Sequence, residues 1–209
     1  MCKDQRMRAA IVCVGLVAAC TPVVDDVDDA GPVGEGEGEG EGEGEGEGEG
    51  EGEGEAVDFV VTSSVVVEGG ALPARYSCDG EDLSPPLTFT AVPGAAGYAM
   101  VLTDLTIDFL HSVIWDIPAT TTTLPEGIDT VAEPTVPAGA KQVAAWNGVV
   151  GYAGPCPPNT HTYEFKIIAV DENPLVGVDL DDGRSVVVEA LEAAAIDTAT
   201  LTVTFTPEG

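Results

Sequence analysis

Thirteen residues, Gly151 to Tyr163 (Gly-Tyr-Ala-Gly-Pro-Cys-Pro-Pro-Asn-Thr-His-Thr-Tyr), hold the densest set of chemically useful side chains in the sequence. They include His161, one of only 2 histidines in 209 residues. Proline fixes φ and lacks an N–H, and glycine reaches backbone angles closed to other residues, so this is a stiff, irregular loop. Such a loop is either a holder of binding groups or a proline-rich turn with no ligand, and local sequence leaves both open. The other histidine, His111, follows Asp104 and Asp108 closely. Asp104, Asp108, His111 and His161 are the residue types that ligate zinc, and an imidazole has the chemistry of a general base toward Ser112 or a water. No His-Glu-x-x-His, Gly-x-Ser-x-Gly or Cys-x-x-Cys accompanies them, so a metal- or histidine-dependent hydrolase is the minor reading.

The N-terminus carries an address. Lys3, Arg6 and Arg8 precede an uncharged, small and apolar run from Ala9 to Ala19. That run is too short to span a bilayer, which takes about 20 residues, and reads as the core of an export signal. Its end, Leu16-Val17-Ala18-Ala19-Cys20, resembles the bacterial lipobox. The resemblance implies cleavage after residue 19, lipidation of Cys20 and two acyl signals, enough for stable anchoring. Thr21 is not the aspartate that favours the inner membrane in enteric bacteria, which points to the bacterial envelope and to the outer membrane over the inner. Cys2 and Cys13 leave with the signal and Cys20 takes lipid, so Cys78 and Cys156 remain. In an oxidising compartment a Cys78–Cys156 disulfide is the default, with two free thiols as the alternative.

Residues 20–55 offer nothing to bury. An acidic patch (Asp25, Asp26, Asp28, Asp29) leads into an unbroken Gly-Glu repeat from Gly34 to Glu55. Glycine opposes helix and the alternate glutamates repel, which makes a solvated tether between anchor and domain. At full extension the 22 residues from Gly34 to Glu55 reach about 70 Å. From residue 56 onward four basic residues (Arg75, Lys141, Lys166, Arg184) face 21 acidic ones, a balance of −17. That charge excludes nucleic acid as a partner, and membrane contact beyond the lipid anchor.

The elements that must position the histidines lie in residues 56–209, enough for one domain with a substantial core. Strands are expected at Phe59–Val67, Tyr98–Thr103, Ser112–Ile117, Glu164–Val170 and Thr200–Thr206. The last two alternate cleanly, with Phe165, Ile167 and Ala169, then Leu201, Val203 and Phe205, on one face. Turn clusters such as Gly69-Gly70, Asp79-Gly80 and Pro93-Gly94 separate them. One helix is expected, Ser185–Ala195, with Val186, Val187, Ala190, Leu191 and Ala194 on its apolar face and Asp182 or Ser185 as cap. The pattern predicts a mostly β fold, an antiparallel β-sandwich with one short late helix.

Leu72-Pro73-Ala74-Arg75-Tyr76-Ser77-Cys78-Asp79-Gly80-Glu81-Asp82-Leu83-Ser84-Pro85-Pro86-Leu87 resembles the opening motif of the phosphatidylethanolamine-binding protein family, in particular its bacterial, Raf-kinase-inhibitor-like branch. The likeness continues through Val92-Pro93-Gly94, Val101-Leu102-Thr103-Asp104, His111, Asp116-Ile117-Pro118-Ala119 and Leu124-Pro125-Glu126-Gly127. It ends in the Gly-Tyr-x-Gly-Pro-Cys-Pro-Pro loop and His161-x-Tyr163. It implies a sandwich with a small cavity at one end for an anion or phosphorylated headgroup. Carried across by motif, the ligand-binding residues are Asp104, His111, Tyr152, Gly154, Pro155, Pro157, His161 and Tyr163. Three positions depart from the family pattern. The Asp-Pro-Asp-x-Pro run is here Asp104-Leu105-Thr106-Ile107-Asp108, the aromatic after the histidine is Ser112, and the basic residue before the last tyrosine is Thr162.

The expected function is a lipid-anchored, non-catalytic binder of a small polar or phosphorylated ligand, with no metal and no cofactor. The main alternative is an interaction or protease-regulating domain without a small ligand, acting on another envelope protein.

Overall fold

The computed structural model describes residues 58–208. The expected signal, Cys20 and the Gly-Glu tether lie outside the described residues. Among the described residues no helix is long and apolar enough to cross a membrane.

Eight strands and one helix follow in order: β1 (Val61–Thr62), β2 (Leu87–Phe89), β3 (Gly97–Asp104), β4 (Phe109–Pro118), β5 (Thr123–Leu124), β6 (Lys141–Gln142), β7 (His161–Val170), α1 (Arg184–Ala193) and β8 (Ala195–Phe205). They form a small sheet, β1-β2-β5, and a large one, β6-β4-β3-β7-β8. Every pairing between these strands is antiparallel. The fold is thus mostly β with a single short helix.

Period-two alternation gives the large sheet two apolar faces. Tyr98, Met100, Leu102, Phe165, Ile167, Leu201 and Val203 point toward Val61, Leu87, Phe89 and Leu124 of the small sheet and form the sandwich core. Ala99, Val101, Val113, Trp115 and Ile168 point the other way and are covered by Val187 and Leu191 of α1. Each such side chain fully buried stabilises by about 1.5–3 kcal/mol.

Two elements differ from expectation. Phe59–Val67 pairs only at Val61–Thr62, and Val67 is 73 % exposed. The Ser63 hydroxyl donates to the Pro86 carbonyl where the chain leaves the sheet; beyond it Val66 still enters the sandwich core and Val65 packs against it, and Val67 faces solvent. The helix covers Arg184–Ala193, because β8 already begins at Ala195. Its N-cap is Gly183, with no side-chain cap; the Asp182 carboxylate instead accepts from the amide of Asp179. Val187 and Leu191 are buried, whereas Val186 is exposed and Val188 packs against the helix-side core in its place.

Candidate ligand pocket

Asp104 ends β3, and Tyr163 lies directly opposite it on β7. Alternation along β7 puts His161 on the same face as Tyr163 and Phe165, at the open end of the sandwich core. His161 Nδ1 is 2.6 Å from Asp104 Oδ2, and the Thr106 amide donates to Asp104 Oδ1 at 2.9 Å. Both residues of this couple are buried. A carboxylate only accepts when ionised, so His161 donates from Nδ1 and turns Nε2 away from Asp104.

His111 arrives by a different device. Leu102 pairs with Ser112 but Thr103 pairs with Leu110, which leaves His111 as an extra residue on β4. This β-bulge re-aims the side chain. His111 joins Asp104, His161 and Tyr163 around one cavity instead of following Val113 and Trp115 toward the helix. Its Nδ1 lies 3.2 Å from the Ala153 carbonyl oxygen, which can only accept, so Nδ1 carries the proton. The ring sits edge-on to Phe109 and Tyr163, with centroids 5.5 and 5.3 Å away, and 5.6 Å from Trp146.

Burial pushes the His111 pKa below the ordinary histidine value, outweighing the opposing pull of the Ala153 bond and of Asp104. The sign for stability follows. Unfolded chain takes up a proton near the ordinary value while folded chain still resists it. Stability present above about pH 6.5 is therefore lost as pH falls toward the folded pKa. His111→Gln is expected to flatten this acid slope in urea unfolding measured between about pH 7.5 and 5. An unchanged slope would assign it to another group. Tyr163 is shifted upward by burial first and then by the Asp104 charge, and keeps its proton at neutral pH.

The rim is the stiff loop. The Tyr152 hydroxyl donates to the Tyr76 carbonyl at 2.7 Å, and the Gly154 amide donates to Asp82 Oδ1 at 2.8 Å. Asp82 has φ +55°, a left-handed value that aspartate tolerates. The Cys78 amide donates to the Pro155 carbonyl at 3.0 Å, and Cys78 and Cys156 are joined by a disulfide. Gly154 must be glycine, since a Cβ there would stand 2.2 Å from the Tyr76 carbonyl oxygen. On the pocket side Trp146 Nε1 donates to the Gly154 carbonyl at 3.3 Å, and the Trp146 amide donates to the His111 carbonyl at 2.9 Å.

The cavity encloses about 240 Å³. Of the residues singled out in the sequence, Asp104, His111, Pro157, His161 and Tyr163 line it. Tyr152, Gly154 and Pro155 are not among the lining residues; they are buried behind the rim and hold it in place. Ile107, Phe109, Trp146 and Pro158 also line it and were missed. Phe109 stands two residues before His111, the one local signal that would have drawn attention to it. Nothing in the sequence joins Trp146 to the site. Among the described residues no group of three or more His, Cys, Asp or Glu is placed to hold a metal ion. The Ser112 hydroxyl is buried without a hydrogen-bond partner, so no histidine activates it.

Residues 62–206 match the family model described as phosphatidylethanolamine-binding protein. The chain is similar to a UPF0098 protein of Methanothermobacter thermautotrophicus, 37% identical over 139 residues, covering 63% of this chain and 88% of the relative. It is also similar to LppC of Mycobacterium tuberculosis, a protein named as a lipoprotein, 32% identical over 155 residues and covering 72% of this chain and 73% of the relative. The crystal structure of Escherichia coli YbcL, described as a new member of the mammalian PEBP family, superposes with a TM-score of 0.65 at 30% identity, covering 73% of this chain and 100% of the other. With the sandwich, the end cavity and the matched span in agreement, the chain belongs to the phosphatidylethanolamine-binding protein family.

Proposed function

We propose that this protein is a non-catalytic binding module that takes a small polar or phosphorylated ligand into the cavity between Asp104, His111, His161 and Tyr163. The observation that carries the reading is the convergence of both histidines, from β4 and β7, on one 240 Å³ cavity. One imidazole is oriented by a carboxylate and the other by a backbone carbonyl. Binding needs such fixed polar groups in an otherwise apolar recess. Of these four residues His161 is the least buried, at 7% exposed.

His161→Ala is expected to abolish the rise in melting temperature that millimolar phosphoethanolamine gives the unmodified domain, while shifting the ligand-free melting temperature little. A ligand present at 100 times its Kd stabilises by about 2.7 kcal/mol, well above detection. Loss of most ligand-free stability in the variant would make His161 a structural residue instead.

We further propose anchoring in the bacterial envelope through lipid on Cys20, in the outer membrane, with the Gly-Glu tether as spacer. The name carried by the mycobacterial relative supports the lipid anchor. Cys20→Ser is expected to move the protein from the membrane to the soluble fraction; persistence with membranes refutes the anchor.

A further inference from the structure

We propose that a groove beside α1, on the opposite face of the large sheet from the cavity, docks a lysine- or arginine-bearing segment of another protein. The proposal does not depend on what the cavity binds. Cross-strand partners share a face, so Val101 and Thr103 of β3 stand beside Lys166 and Glu164 of β7 on the helical side. Val188 and Glu192, one turn apart on α1, line the same groove, as do Asp108 and Leu110 at the start of β4. It encloses about 300 Å³. Asp108, which the sequence offers as a metal ligand, is absent from the cavity lining and lines this groove instead.

The lining has an apolar part and a charged part. Val101 and Ile168 are buried, and the half-buried Leu110 and Val188 pack against the helix-side core. Against these stand three carboxylates, Asp108, Glu164 and Glu192, and one ammonium, Lys166. Lys166 Nζ is 4.0 Å from Glu164 Oε1, too long for a hydrogen bond, so the Glu164 carboxylate keeps room for a closer partner. A lysine or arginine side chain matches both parts. Its aliphatic stem covers apolar surface while its cationic tip stays with the carboxylates. An acidic or phosphorylated partner would meet the same three carboxylates with like charge.

The chain itself has no such side chain to spare. Of the four basic residues from residue 56 onward, Arg75 pairs with Glu81 and Glu126, and Lys141 with Asp116. Arg184 donates from Nε to the Leu110 carbonyl, and Lys166 already lines the groove. A second copy therefore brings no uncommitted cation, and two domains each at −17 repel. Residues 20–55 hold no lysine or arginine and end in the Gly-Glu repeat, so the tether does not fit either. The complementary charge comes from a different protein.

The test titrates the purified protein at pH 7.5 and low salt with capped glycine-serine peptides carrying two lysines, two arginines or two glutamates, and with butylammonium alone. Backbone amide NMR signals of Thr103, Lys166 and Glu192 report the groove; the His111 and His161 side-chain signals report the cavity. The lysine and arginine peptides are expected to shift the groove amides and leave the histidines in place, and the glutamate peptide to shift neither. Glu164→Gln/Glu192→Gln is expected to weaken lysine-peptide binding about 2- to 30-fold, the range for two exposed ion pairs. Glu133→Gln/Glu208→Gln removes the same charge from exposed positions outside the groove and is expected to change binding less than about twofold. Thr103→Phe, which fills the groove and keeps its charges, is expected to abolish binding. Equal weakening by the two charge variants, or binding that survives Thr103→Phe, means diffuse attraction to an acidic surface and overturns the proposal. Butylammonium binding as tight as the lysine peptide makes this a small-amine site, and self-association lost in Thr103→Phe makes a second copy the occupant; each overturns it. Silent groove amides overturn it whatever the histidines do, so the cavity reading stands or falls separately.

Discussion

Removing the Cys78–Cys156 bridge is expected to lower the free energy of unfolding by about 4–5 kcal/mol, a large share of what a domain of this size possesses. The two cysteines are 78 residues apart, so the bond closes much of the domain into one loop and restricts the unfolded chain accordingly. The folded state contributes as well. The bridge joins the segment carrying Tyr76 and Asp82 to the rim at Tyr152–Cys156, and the hydrogen bonds between those segments gain from the proximity it enforces. Urea unfolding of the oxidised protein against Cys78→Ser/Cys156→Ser measures the difference. A loss below about 1 kcal/mol would show that the bond is not what holds the two segments together. Both cysteines are exposed, so added reductant should reproduce the double variant without prior unfolding.

Gly154→Ala is expected to cost about 3 kcal/mol or more by overpacking. The added methyl meets the Tyr76 carbonyl oxygen at 2.2 Å and the Asp82 carboxylate and Tyr152 hydroxyl at 2.9 Å each. None of these is the loose end of a flexible chain. The carbonyl is pinned by Tyr152 and the carboxylate by the Gly154 amide itself. The rim can only move outward, taking with it the Ala153 carbonyl that orients His111. Thermal unfolding should show the loss, and the His111 NMR signal should move even in variant protein that is still folded. A stability change within about 0.5 kcal/mol would mean that the rim is softer than its bonds suggest.

What could be read in advance follows from periodicity and covalent chemistry. β7 alternates from His161 to Lys166 and β8 from Ala199 to Phe205, and that regularity is visible in the sequence without a structure. The bridge was legible because the other cysteines were assigned to an export signal. The short strands β2, β5 and β6 were not legible, since two or three residues carry no period and exist only because a neighbour pairs with them. The valine-rich run after Phe59 misled for the converse reason: Val65 and Val66 pack on the core without a strand to pair with. In the pocket, motif likeness picked a loop that the structure places at the cavity, yet could not distinguish a side chain facing the cavity from one behind it. Tyr152 and Tyr163 look equivalent in the sequence; one supports the rim and the other lines the recess. Trp146 reaches the site through the backbone bond to His111, a contact over 35 positions that no local pattern announces.

The bulge at His111 implies that the recess depends on counting as well as on residue type. Deleting Leu110 would leave every lining residue in the chain and remove the register shift between Leu102 and Thr103. The imidazole would then inherit Leu110's place opposite Thr103 and face the helical layer, away from Asp104 and His161. Random point substitution never samples that change, so a mutational scan built from substitutions alone would overlook the alteration to which this end of the molecule is most vulnerable.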